Sequence, residues 1–128
     1  MYAGFEMGRS RRAASDRARQ QAATGCAGIL DSALFKALCE PVRIELVRLL
    51  IAKGRTDLSA IAAELPQDDS VISRHLAVLH RAGLVRREKV GRHVHFELDG
   101  PEVLARLERI VAGLRRAVPF CCPGSAKS

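Results

Sequence analysis

Four cysteines and one concentrated run of basic residues carry most of the chemistry this chain could perform. Cys121 and Cys122 are neighbours in sequence, while Cys26 and Cys39 stand far upstream. Thiolates are soft ligands, so such a pair selects arsenite, antimonite, mercury or cadmium over magnesium or calcium. Adjacent cysteines are too close for an easy mutual disulfide, yet both sulfurs can hold one soft ion. No Cys-x-x-Cys and no His-x-x-x-His lies near them, so a zinc finger is not expected. Pro119 and Pro123 flank the vicinal pair and predict an extended, exposed segment. Arg115 and Arg116 nearby would favour the thiolate form, and the same setting eases oxidation. A two-cysteine redox or persulfide switch is therefore the rival to ion capture.

The second concentration of chemistry is electrostatic. Between Ser70 and His95 stand Arg74, Arg81, Arg86, Arg87, Lys89 and Arg92 against the single acid Glu88, and His75, His80, His93 and His95 fall there too. With a net charge of +7 on 128 residues, the chain favours a polyanionic partner, nucleic acid or an anionic membrane surface. The membrane is the weaker choice. No apolar run approaches the roughly 18 to 20 residues of a spanning helix, and the N-terminus lacks the apolar core of a signal peptide. A cytoplasmic setting with reduced thiols is the expectation. An enzyme is not expected either. The chain has no nucleophile elbow, Walker loop, dinucleotide fingerprint or zincin motif, and its clustered histidines lack the carboxylate partners of acid/base catalysis.

A chain this short builds one modest core, so the elements that position these residues must belong to one domain. Residues 1–24 read as a basic, partly disordered arm with a helix from about Ser10 to Ala23, stopped at Gly25. Leu30, Leu34 and Leu38 form a helical stripe ended by Pro41, which then opens a helix to Lys53 with Val42, Leu46, Leu49 and Leu50 on one face. Gly54 stops it. Asp57 is a good N-cap for a short helix carrying Leu58, Ile61, Ala62 and Leu65, closed by Pro66. Ser70 can cap the next helix, whose inner face is Ile72, Leu76 and Leu79 and which ends at Gly83. Two short helices joined by a tight polar turn are the sequence form of a helix-turn-helix.

The pattern then changes period. Leu84 to Glu88 and His93 to Leu98 read as two strands of a β-hairpin, with Lys89, Val90, Gly91 and Arg92 between them. A final helix starts near Asp99–Pro101, runs along Val103, Leu107, Ile110, Val111 and Leu114, and is ended by Pro119. Its broad apolar stripe suits packing against a second copy of the chain and against the N-terminal helix. The fold class is α+β, mainly helical: a winged helix-turn-helix over residues 25–117 with a two-stranded wing and added terminal dimerisation helices. Residues 118–128 form a flexible, cysteine-bearing tail.

With Ile72, Leu76 and Leu79 turned inward, the outer side of their helix carries Ser70, Val71, Ser73, Arg74 and Ala77. Ser73 and Arg74 can hydrogen-bond to bases, and the positive helix terminus favours a phosphate near Ser70. His75 lies on the same helix beside Leu76 and reads better as a packing residue. Arg87, Lys89 and Arg92 on the hairpin would neutralise phosphates of duplex DNA. The bland alternative for all of them is a solvated basic face.

The stretch LFKALCEPVRIELVRLL, followed by DDSVISRHLAVLHRAGLVRREKVGRHVHFEL, resembles the ArsR/SmtB family of winged-helix metal-sensing repressors over about residues 30 to 115. The most specific parts are Leu38-x-Glu40-Pro41-x-Arg43, Ser70-x-x-Ser73-Arg74-His75-Leu76 and the Gly91-Arg92 turn. The resemblance implies a homodimer that holds a two-fold symmetric operator and loses affinity when an inducer binds. It also implies an inducer site built from a small Cys or His cluster. Residues 56–80 hold no cysteine and residues 101–120 no histidine, so two of the family's arrangements are missing. What the resemblance leaves is As(III) or Sb(III) on Cys121 and Cys122, with a third thiol from Cys26, or less readily from Cys39, which reads as a buried apolar thiol. Other thiophilic ions, thiol oxidation and a DNA-binding module that senses nothing are the alternatives.

Overall fold

The computed structural model describes residues 16–28, 30 and 32–125. The described residues form two compact units: residues 32–105, and a second unit that joins the helix of residues 16–28 to residues from 106 onward.

In the first unit, α2 (Ser32–Ala37) buries Leu34 and Ala37, and α3 (Pro41–Lys53) buries Leu46 and Leu50. Glu40 occupies the N-cap and Pro41 the first turn, where its missing N–H costs nothing. Gly54 closes α3 at φ 72°, its N–H bonded to the Leu50 carbonyl at 2.9 Å. The expected cap at Asp57 forms: its carboxylate accepts from the Ala60 N–H at 3.0 Å and starts α4 (Leu58–Ala63). Thr56 and Asp57 also make a two-residue strand, β1, which the sequence did not signal because two residues have no readable alternation.

The next helix, α5 (Asp69–Arg81), begins one residue before Ser70, with Asp68 rather than Ser70 at the N-cap. The Asp68 carbonyl accepts from Val71 and Ile72 at 2.9 and 3.0 Å, so Ser70 lies inside the first turn. Ile72, Leu76 and Leu79 have no exposed surface, as their spacing predicts. At the C-terminus Gly83 takes φ 80°, its N–H bonds the His80 carbonyl, and the Leu84 N–H bonds the Leu79 carbonyl, both at 3.0 Å. That is a Schellman stop, which only a residue free to adopt positive φ makes without strain.

The wing is longer and its turn tighter than expected. β2 (Val85–Val90) pairs with β3 (His93–Leu98) in antiparallel register from Val85 opposite Leu98 to Val90 opposite His93. Lys89 and Val90 are therefore strand residues, and the loop is only Gly91 and Arg92. Gly91 has φ 61° and, among the described residues, no non-glycine residue has positive φ, so glycine leads a two-residue turn whose twist suits a hairpin. β1 pairs on the other side of β3, giving a three-stranded sheet in the order β1-β3-β2 with Phe96 buried.

In the second unit, α1 (residues 16–28) passes through Gly25, where a stop was expected, and the Leu30 N–H still reaches the Cys26 carbonyl at 2.8 Å. An interior glycine costs a helix only about 1 kcal/mol. The part of that expected helix before residue 16 lies outside the described residues. The last helix, α6 (Gly100–Cys121), contains Pro119 instead of stopping at it. Proline removes one N–H bond, but the Cys122 N–H bonds the Val118 carbonyl at 2.8 Å and closes the following turn.

Leu76→Ala removes a side chain with no exposed surface and is expected to cost about 2–5 kcal/mol. A urea titration should show a lower midpoint at unchanged slope.

Candidate nucleic-acid interface and thiol pair

Helical geometry sorts α5 into two faces. Ser70, Ser73, Arg74 and Ala77 are exposed, and Val71 and His75 are half-buried at the border with the inner face. His75 thus stands where packing and the outer surface meet. Asp68 and Asp69 are exposed at the same helix terminus as Ser70, so two carboxylates share the positive end of the helix with any phosphate.

Alternation sorts the wing in the same way. Arg87 and Lys89 share a strand face with Val85, which is buried, and β2 packs on α5. Arg92 sits exposed in the turn. No ion pair is formed by Arg74, Arg87, Lys89 or Arg92 among the described residues, whereas the cations on the other side are spoken for. Arg86 pairs with Asp99 at 3.1 Å and Arg55 with Glu88 at 3.1 Å. On the hairpin, Arg86 is thus neutralised on one strand face, while Arg87 and Lys89 on the other face and Arg92 in the turn form no ion pair among the described residues.

Two aspartates fasten this arrangement. Asp99 Oδ1 accepts from Arg86 and from the Glu102 N–H at 3.2 Å, so it caps α6 while holding β2. The Arg86 guanidinium first, then the Glu102 N–H, keep its carboxyl below the usual carboxylate range. Asp57 Oδ1 caps α4, and its Oδ2 lies 2.9 Å from His93 Nδ1 on β3. The Ala60 N–H and then His93 hold that carboxyl low as well. The cap role of Asp57 was legible in the sequence. Its second partner, 36 residues away, was not.

The thiols fall at different places. Cys121 occupies the last turn of α6 and Cys122 follows it, so the pair is exposed as expected but helical rather than extended. Their sulfurs are 3.4 Å apart. The hydrogen bond to Cys122, followed by desolvation, raises the Cys121 thiol above its ordinary value, with Arg19 opposing. The expected thiolate-favouring influence of Arg115 and Arg116 does not act on Cys121, where the neighbouring thiol and desolvation set the direction. Cys26 is buried and donates to the Gly113 carbonyl at 3.3 Å. It borders a cavity of about 320 Å³ lined also by Ala22, Gly25, Ala117 and Phe120. Cys39 is exposed, not buried as its apolar neighbours suggested, and donates to the Lys36 carbonyl at 3.0 Å past the end of α2. Among the described residues no three His, Cys, Asp or Glu side chains come together as a metal site. No helix of the described residues is long and apolar enough to cross a membrane.

Comparison with known proteins agrees with this architecture. A family model for "Bacterial regulatory protein, arsR family" matches residues 40–87. The arsenical resistance operon repressor of Escherichia coli (strain K12) is 35% identical over 83 residues, covering 65% of this chain and 70% of that protein. A crystal structure described as "Possible transcriptional regulator for arsenical resistance" shares 39% identity at a TM-score of 0.55, covering 62% of this chain and 81% of the other. The AntR antimony-specific transcriptional repressor shares 26% at a TM-score of 0.51, covering 66% and 76%. All three are repressors or transcriptional regulators by name. Residues 40–87 are the stretch from α3 into β2 that builds the helix pair and opens the wing, and the chain belongs to the ArsR family of bacterial regulatory proteins, a non-enzymatic, DNA-binding transcriptional regulator.

Proposed function

We propose that this chain is a cytoplasmic, homodimeric repressor that grips a two-fold symmetric operator and is released when Cys121 and Cys122 capture As(III) or Sb(III). The observation that carries the sensing half is the 3.4 Å between the two sulfurs. Two metal–thiolate bonds of about 2.3 Å meeting at one atom put their sulfurs roughly 3.3–3.8 Å apart. A disulfide needs about 2.05 Å, and the Cys122 N–H bond to Val118 holds the backbone helical against that closure. The relatives named for arsenical resistance and antimony support the same choice of element. Arriving as a hydroxide, the ion would exchange two hydroxides for the two sulfurs, the thiol protons leaving in two waters, and would tie the tail into a chelate. Cys26 can supply the third thiol, from the same chain or a partner, only by giving up its bond to the Gly113 carbonyl, which would loosen α1 from α6.

The DNA half rests on Ser70, Val71, Ser73 and Arg74 as base-edge readers, His75 at their margin, and Arg87, Lys89 and Arg92 on phosphates. A dimer would set two such helices about one DNA turn apart. Exposed apolar residues Leu104, Leu107, Val111 and Leu114 follow one stripe of α6, a surface that a second copy would cover.

Arg74→Ala is expected to weaken operator binding by about 1–3 kcal/mol and relax sequence preference, while Arg92→Ala weakens binding to every sequence and lowers the salt slope by about one. Arg86→Ala, already paired with Asp99, should change the slope less. A gel-shift salt series compares them, and a loss at Arg74 equal on all sequences refutes base reading. Replacing Cys121 and Cys122 by Ser should abolish release by arsenite while DNA binding persists. Release that survives in this double variant refutes the site, and release reversed by a non-thiol reductant assigns a disulfide switch instead. Each thiol proton leaves with a hydroxide of arsenite as water, and Cys121, raised above its ordinary value, stays protonated until captured. Arsenite affinity, followed by sulfur-to-arsenic absorption, should therefore change little with pH through neutrality.

A further inference from the structure

The wing and the cap of the first helix of the helix-turn-helix meet in a hydrogen-bonded side-chain pair. Asp57 accepts the Ala60 N–H with Oδ1 and faces His93 Nδ1 at 2.9 Å with Oδ2. Its backbone lies in β1, opposite His95 of β3. His93 is the first residue after the turn, next to Arg92, which has no ion-pair partner among the described residues. The His93 side chain is 67% exposed, so water and protons reach it freely, while Asp57 is 24% exposed.

We propose that Asp57 is a positioning residue for the wing, acting through His93, and that this pair makes the hold of the wing on DNA phosphates proton-responsive. The inference rests on the reading of Arg87, Lys89 and Arg92 as phosphate contacts. A free imidazole changes charge near pH 6.5. When His93 is protonated, its contact with Asp57 becomes an ion pair, and the root of the turn carries one more positive charge facing the polyanion. Protonation and DNA binding then favour each other, so affinity rises as pH falls.

The surroundings leave His93 and Asp57 to one another. The ring of His95 lies 6.4 Å from that of His93, and its cross-strand neighbour is Glu88, itself paired with Arg55. Opposite His93 on β2 is Val90. The helix that Asp57 caps, α4, contains no ionisable residue. On α3, which also packs against β3, Glu45 pairs with Arg48, Lys53 with Glu64, and Arg43 donates to the Lys36 carbonyl.

The test uses the full chain, a short mixed-sequence DNA duplex at fixed salt, and fluorescence anisotropy at about pH 6 and pH 8. Wild type should bind tighter at the acid pH. His75 and His80 on α5 contribute too, so the readout is the difference between variants. His93→Gln keeps a polar side chain without a titrating ring and should shrink the acid-side gain by about two- to fivefold. Asp57→Asn keeps an oxygen to cap α4 and should shrink it likewise. A merely structural role would weaken binding by the same factor at both pH values, and that outcome overturns the proposal. So does full wild-type gain in His93→Gln or in Asp57→Asn. Absence of duplex binding at either pH refutes the DNA reading itself, whereas binding with an unaltered pH response refutes only this link.

Discussion

The surface proposed to read DNA depends on the burial of three side chains. Ile72, Leu76 and Leu79 leave nothing to solvent, and helical geometry then allows only one orientation for the rest of α5. Ser73 and Arg74 face outward because their neighbours cannot. The Gly83 stop reinforces this by sending the chain directly into Leu84 and Val85, both buried, so the wing leaves the helix from a fixed point. The rigid inner face fixes the outer one, since a rotation of one residue would put Ser73 or His75 where Arg74 stands.

The second layer of organisation is electrostatic. Asp57 and Asp99 each cap a helix and each reach a side chain of the sheet, so each carboxylate ties a helix N-terminus to the wing. Both are held below the ordinary carboxylate range, so their contributions are present above about pH 3.9 and lost as acid titrates the lowered native groups. A further consequence is the sorting of charge. Arg86 and Arg55 are neutralised by nearby acids, while Arg87, Lys89 and Arg92 are not. Surface pairs of this kind contribute little to stability, but they decide which cations remain available to an anionic partner.

Most of the fold could be read from local signals. The periodic leucines, the proline opening α3, the Asp57 cap and the alternation in β3 each act over a few residues, and each formed where its chemistry required. What escaped was set by tertiary partners. Two-residue β1 exists because β3 offers an open edge, and no pattern of two residues announces that. The length of the wing was missed because Lys89 and Val90 have no turn chemistry to mark them as loop or strand. Gly91 settles the matter by taking positive φ at the first position of the turn. Pro119 reads as a terminator in isolation, yet a proline removes only its own N–H, and the next turn closes through Cys122 and Val118. Cys39 reads as buried from its neighbours, but it lies past the last turn of α2, where the apolar stripe no longer governs exposure.

That same proline bears on the thiols. Had α6 ended at Pro119, Cys121 and Cys122 would sit on loose chain and their sulfurs would sample many separations. Carried on a last helical turn, they are held at a spacing close to that of two ligands on one soft atom. Preorganisation of this kind lowers the entropy that chelation must overcome. It also keeps the pair covalently continuous with Asp99, because α6 runs without interruption from Gly100 to Cys121 and Asp99 caps its first turn.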